Sequence, residues 1–177
     1  MNRSTSQFWS TDPIVGGFRC SHCGAYVPTS SVISGVVNRN HCPYCLWSRH
    51  LDSHKAGDRL SACKEEMRPV GLTLKKGCKK YGVAKQGELM LIHLCLGCER
   101  ISINRIAADD DGKTILSLLN DSLVFESFLI HRLNDEEVHP LSIEEIPQVK
   151  AQLFGLKTLT LEVDCTAFSS EEMTLEF

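Results

Sequence analysis

No stretch of this chain approaches the roughly 18 consecutive apolar residues that a bilayer crossing requires, which excludes an integral membrane protein. Behind Arg3 there is no apolar run either, so the first residues do not form a secretory signal. Phosphate-binding loops, Rossmann glycines and any Ser-His-Asp constellation are missing, which leaves the common enzyme classes without support. There is no internal repeat of helix-pair size and no low-complexity tract, and aromatic residues make up only 7% of the 177. What is present suits a folded protein: 42% hydrophobic and 23% charged residues are enough for a buried core and argue against wholesale disorder.

Cysteine is the residue in excess. Nine cysteines without an export signal point to a reducing, cytoplasmic setting, where paired cysteines more often hold metal than form disulfides. An odd number would also leave a closed disulfide framework with a remainder. Charge is divided as unevenly as sulfur. Residues 1–108 hold 15 Lys+Arg against 7 Asp+Glu, a net of +8. Residues 109–177 hold 4 against 15, a net of −11, and the two sums recover the −3 of the whole chain. Only Cys165 lies outside the basic part, and the boundary is marked by Asp109-Asp110-Asp111-Gly112. The expected organisation is a polar disordered leader over 1–16, a basic cysteine-rich domain over 17–108 and an acidic α/β extension over 109–177. A basic surface suits a polyanion such as nucleic acid, and an acidic region can shield it or simply attract it within the fold.

Short strands are expected over Ala25–Pro28, Met67–Lys75, Glu88–Leu94 and Arg100–Arg105, the last alternating apolar and polar in Ile101-Ser102-Ile103-Asn104. The basic run from Lys75 to Gln86 reads as an exposed hairpin loop. Apolar residues at three- and four-residue spacings predict one helix over Lys113–Leu133. A second helix starts at Ser142 as N-cap, with Pro147 near its first turn and Gly155 as its stop. Thr158–Val163 alternates like a strand. The fold class is therefore α+β: a small β-rich, zinc-ribbon-like domain followed by an acidic α-rich extension.

Cys20-x2-Cys23-Gly24 and Cys42-x2-Cys45 carry the clearest chemistry. Zinc takes four ligands at tetrahedral corners, and a two-residue gap lets one tight turn deliver two sulfurs to one ion. Gly24 supplies the positive φ such a turn often demands. Two such pairs separated by 18 residues make a closed, structural site. Cys95-x2-Cys98 is a third pair, with Cys63 as its natural third ligand; His50, His54, His93 and Cys78 all remain candidates for the fourth.

The string Arg39-Asn40-His41-Cys42-Pro43 spells RNHCP, and its surroundings are ordered in the same way. Phe18-Arg19-Cys20-x2-Cys23-Gly24 precedes it, and Cys45-Leu46-Trp47-Ser48-Arg49-His50-x-Asp52 continues it. Gly57-Asp58-Arg59, Cys63 and Met67-x-Pro69-Val70-Gly71 follow, and His93-x-Cys95-x2-Cys98 and Asn104-Arg105 close it, with Asp109-Asp110 just beyond. Over residues 17–111 the chain resembles the bacterial RNHCP-domain family, a zinc-ribbon-like domain of largely uncharacterised function. The resemblance implies two structural zinc ions, one on Cys20, Cys23, Cys42 and Cys45 and one on Cys63, Cys95 and Cys98. It makes His50 the favoured fourth ligand, since His54 and Cys78 match no family position. Glu65-Glu66 depart from the pattern, and the acidic region is not covered.

Three functions compete. The favoured one is a non-catalytic zinc module that binds RNA or DNA, with Arg39, Arg49, Lys75, Lys76, Lys79 and Lys80 as phosphate contacts and Trp47 as a possible stacking ring. The alternative is a protein-protein adaptor whose zinc is purely structural and whose acidic region takes the partner. The least favoured is an HNH-like nuclease in which His41 would activate water and His50, Asp52 and His54 would hold a metal. No small-molecule substrate is indicated.

Overall fold

In the computed structural model, residues 16–75 and 87–155 are described. The expected leader (apart from Gly16), the strand over 158–163, Cys165, and the loop residues Cys78, Lys76, Lys79 and Lys80 lie outside them. The described residues form a mixed α and β structure. Strands β1 (Gly17–Arg19) and β2 (Tyr26–Pro28) pair as a small antiparallel ribbon, and a short helix α1 (Ser31–Ser34) follows. A four-stranded antiparallel sheet runs in the order β3 (Ser48–Arg49), β4 (Glu66–Lys75), β5 (Glu88–Cys95), β6 (Ile101–Arg105). Helices α2 (Gly112–Asp121) and α3 (Ser127–Asp135), a 3₁₀ turn (Ile143–Glu145) and α4 (Ile146–Phe154) complete the described chain. None of these helices is long and apolar enough to cross a membrane.

Why the sheet holds is visible in its central strand. After Glu88 every residue of β5 is buried, as expected where both faces are covered. On one face Leu72, Leu74, Leu89 and Leu91 pack with Ile115, Leu118 and Leu119 of α2 and with Val149 of α4. On the other, Val70, Ile92, Leu94 and Ile101 meet Leu133 of α3, with Phe125 and Leu129 against them. A register shift between Pro69 and Gly71 makes Val70 the extra residue of a bulge. Proline suits that place because it has no N–H to give to the ladder.

The single helix expected over Lys113–Leu133 is corrected to two, α2 and α3, interrupted at residues 122–126. Ser122 explains the break. Its hydroxyl donates to the Leu118 carbonyl at 2.6 Å and accepts from the Leu72 N–H at 2.7 Å, which binds the end of α2 to the free edge of β4. Phe125 then reaches Gly71, where a Cβ would stand 2.5 Å from the ring's Cζ. Periodicity cannot distinguish one helix from two that contribute to opposite faces of a sheet. The second expected helix begins as read: Ser142 and Glu145 form a capping box, Pro147 lies in the first turn of α4, and Gly155 ends it at φ 65°.

Candidate metal centres

Three C-x2-C turns share one backbone design. The N–H of the residue after each second cysteine donates to the carbonyl of the first: Gly24 to Cys20 at 2.9 Å, Leu46 to Cys42 at 2.9 Å and Glu99 to Cys95 at 3.0 Å. These residues sit in the left-handed region at φ 75°, 61° and 59°. Each first cysteine also donates its own N–H across the turn, Cys20 to Ala25, Cys42 to Trp47 and Cys95 to Arg100. Such a knuckle turns both side chains toward one point. That Leu46 and Glu99 accept a conformation favoured by glycine was not legible from residue type, and metal-site geometry is what over-determines such strained positions.

The knuckles converge in two quartets, Cys20/Cys23/Cys42/Cys45 and His50/Cys63/Cys95/Cys98, whose ligand atoms all lie within 4.8 Å of one another. In the first, Sγ–Sγ separations are 3.6 Å for Cys20–Cys45 and 3.7 Å for Cys23–Cys42. A tetrahedron with Zn–S bonds of about 2.3 Å has edges of about 3.8 Å, so the spacing matches. In the second, Cys63 and Cys95 sulfurs are 3.6 Å apart, and His50 Nδ1 is 3.2 Å from Cys98 Sγ. The His50 N–H donates to the Glu65 carbonyl at 2.9 Å, which ties it to the Cys63 turn. Gly97 is needed here: a Cβ would lie 2.5 Å from Glu65 Cγ and 3.2 Å from Cys63 Sγ.

The donor chemistry fits zinc. All seven of these cysteines are free. Without a cation the crowded sulfurs must share protons. A hydrogen bond with Cys45, outweighing burial, pulls Cys42 down to about 5, and the same bond pushes Cys45 up. Burial pushes Cys95 up to about 11, while the Glu65 N–H holds Cys63 low. Burial, helped by the Arg100 charge, keeps His50 below its usual range, so its imidazole is neutral and ready to ligate. Thiolate and imidazole sets of four suit a tetrahedral ion with no open position. The two quartets can hold two zinc ions, and the contribution of such ions is folding free energy.

Around the first quartet the Arg39-Asn40-His41 segment is enclosed. Nε of Arg39 donates to the His41 carbonyl at 3.2 Å, and its terminal nitrogens reach Asp109 at 2.7 Å and Asp110 at 3.1 Å. His41 Nε2 lies 2.8 and 3.0 Å from the two Asp110 oxygens. One of these oxygens also accepts the Ala107 N–H at 2.8 Å. Asn40 donates to Asp52 at 2.8 Å. A family model described as the RNHCP domain matches residues 15–116, more than half of the chain. The chain belongs to the RNHCP-domain family. No curated protein and no solved structure matches it.

In this RNHCP domain the naming residues are thus interior ones, and one expectation is corrected. Arg39 is not a phosphate contact: its side chain is fully buried and its charge is met by two carboxylates inside the fold. Asp109 and Asp110, read from sequence only as a boundary, are its partners; their place just beyond the ordered motif was the one available signal. Arg49 is half-buried and donates to the Lys64 carbonyl at 2.8 and 3.2 Å, whereas Lys75 is exposed at the end of β4. Trp47 is stacked on His22, ring centroids 3.8 Å apart. His93 joins neither quartet: Nε2 donates to the Leu46 carbonyl at 2.7 Å and Nδ1 accepts from Asn104 at 3.0 Å. Burial, then the neighbouring His41, push its pKa down to about 3. His54 stays exposed and outside both quartets, and His41 is buried against Asp110.

Proposed function

We propose that this protein is a non-catalytic, zinc-built module that binds nucleic acid, RNA or DNA, through the basic surface of its zinc-ribbon-like part, in the cytoplasm. The observation that carries the reading is the charge left over once the fold is satisfied. Arg19, Arg49, Lys55, Lys64, Arg68 and Lys75 make no salt bridge to a carboxylate among the described residues, although the whole chain is net negative. Unpaired cations on a rigid zinc scaffold are what phosphate backbones recognise. Two four-ligand quartets without an open coordination position support binding over catalysis. The region from Asp109 onward serves as an acidic α-rich extension that neutralises part of the basic domain, and Arg39 with Asp109 and Asp110 is its first instance. The test is fluorescence anisotropy with single-stranded RNA and duplex DNA across a salt series. Affinity should fall linearly in log–log form, with a slope of about −0.7 to −0.9 per phosphate neutralised. Absent or salt-insensitive binding would sink the reading.

A second reading, a protein-protein adaptor, is favoured by one feature. Between β4 and α3 lies a groove of about 350 Å³ lined by Val70, Leu94, Phe125 and Leu129. Val124 and Phe128 at its rim are exposed. Because α2 and α4 share the core of the sheet, the discriminating change is Val124→Asp rather than removal of the helices. Under the adaptor reading it abolishes partner capture; under the nucleic-acid reading it leaves RNA binding intact.

A further inference from the structure

The turn that carries Cys95 and Cys98 joins β5 to β6, and the residues around it hold α3 in two ways. Leu94 and Ile101, cross-strand partners on either side of the turn, pack in one cluster with Leu133 of α3, which is wholly buried. Glu99 and Arg100, the two residues directly after Cys98, are ion-paired with the same helix and its C-cap. Glu99 meets Arg132, and Arg100 meets Glu136 at 3.9 Å. The two pairs run in opposite senses, so a helix shifted along the turn loses both. Arg132 is steadied from its own helix as well, its guanidinium carbon 5.5 Å from the Phe128 ring centroid.

The metal turn itself aims Glu99. This residue donates its N–H to the Cys95 carbonyl at 3.0 Å and sits in the left-handed region at φ 59°. The same position in the other two knuckles is taken by Gly24 and Leu46, so only here does it carry a charge. A residue other than glycine keeps that conformation only while its surroundings hold it there. With His50, Cys63, Cys95 and Cys98 gathered on one ion the turn is fixed; once they separate, Glu99 relaxes and its carboxylate leaves Arg132. Half-exposed ion pairs are too weak to hold a helix alone, so the clasp acts together with Leu133, whose partners Leu94 and Ile101 flank the same turn. Helix α3 also lies beyond the residues 15–116 that the family model matches, so the clasp is built by the extension.

We propose that α3 is a strap held shut by the second metal centre. While the quartet is gathered, α3 covers the apolar sheet face made by Val70, Ile92, Leu94 and Ile101. When the quartet opens, the strap lifts from that face, whereas α2 stays in place because Asp110 and Asp111 tie its start to His41 and Pro43 beside the first centre. Linkage makes the coupling reciprocal: whatever lifts α3 also weakens metal binding at the second centre.

The first test is amide hydrogen exchange, read by mass spectrometry, on the zinc-loaded full chain and its Cys63→Ser variant. Exchange over α3 should be about tenfold faster or more in the variant, while exchange over α2 is kept. An unchanged α3, or both helices accelerating together, overturns the proposal. The second test leaves every ligand in place and follows zinc release to a chromophoric chelator. Arg132→Glu sets two carboxylates together, and one of the two zinc ions should leave about three- to tenfold faster. The exchange variant Glu99→Arg/Arg132→Glu restores the pair with its charges reversed and should recover at least part of that loss, which a merely weakened helix would not do. Release as slow as wild type in Arg132→Glu, acceleration of both ions, or no recovery in the exchange variant overturns the coupling.

Discussion

His41 and Asp110 are joined through Nε2 and both carboxylate oxygens, at 2.8 and 3.0 Å, with side chains almost wholly removed from solvent. His41 directly precedes the metal-ligand candidate Cys42, and Asp110 directly precedes the residue that caps α2. One contact therefore couples the first metal centre to the helix that covers the sheet. The chain on either side is tied in too: Asp111 donates its N–H to the Pro43 carbonyl, and Ala108 to that of Ser34.

Removing the shared carboxylate should be costly. Asp110→Ala leaves the Arg39 guanidinium and His41 without a common partner in the interior, and unfolding free energy should drop by about 3–5 kcal/mol. Asp121→Ala, at an exposed position near the end of α2, should cost less than about 0.5 kcal/mol. Urea melts of the zinc-loaded proteins decide it; equal midpoint shifts would remove the network from the account.

The two quartets are separate and should lose metal separately. Elemental analysis of purified wild type should give two zinc ions per chain. Cys63→Ser and Cys42→Ser should each give one, from different sites. A wild-type value of one that Cys63→Ser leaves unchanged would free Cys63, Cys95 and Cys98 for redox work.

Gly71 is a packing requirement, not a turn. Gly71→Ala pushes a methyl against Phe125 and should destabilise by about 1–3 kcal/mol. Phe125→Leu should recover part of that loss in the double variant, because the two sites touch. Additive losses in a double-mutant cycle would mean that the cost comes from the backbone at the bulge.

Burial raises the Asp109 carboxyl, but the hydrogen bond and charge of Arg39 outweigh it and hold the group below the usual carboxylate range. A folded pKa below the unfolded one gives stability that is full above about pH 4 and is lost as pH falls through the folded value. The stability gap between wild type and Asp109→Asn should therefore narrow as pH drops from 5 toward 2. Acid release of zinc affects both proteins and cancels in the difference. A gap independent of pH would mean that Asp109 is not ionised in the fold.

Much of the site was legible because its signals are local. A C-x2-C pair must turn on itself to bring two sulfurs together, so three such pairs announce three knuckles wherever they occur. The strand over 101–105 could be read from alternation, since period 2 is a property of neighbours, and those over 26–28, 66–75 and 88–95 from short runs set between turn formers. The fourth ligand was not local. Spacing left His50, His54, His93 and Cys78 all open; the family resemblance favoured His50, and the fold places it in the quartet. His50 stands 3.2 Å from Cys98, His54 faces solvent, and His93 has both ring nitrogens occupied.

Arg39 shows the same limit from the other side. An arginine beside a metal-binding turn, in a basic half of the chain, reads as a phosphate contact because its partners stand 70 and 71 residues away. The break between α2 and α3 was hidden likewise, since the hydroxyl that makes it answers to an amide on β4. The sequence by itself determined the chemistry available here: sulfur pairs at metal spacing, strand alternation, helix caps and the division of charge. Only the tertiary structure decided which charges are used up inside and which remain outside. Burial and pairing depend on contacts between residues far apart in the chain, and no local pattern records them.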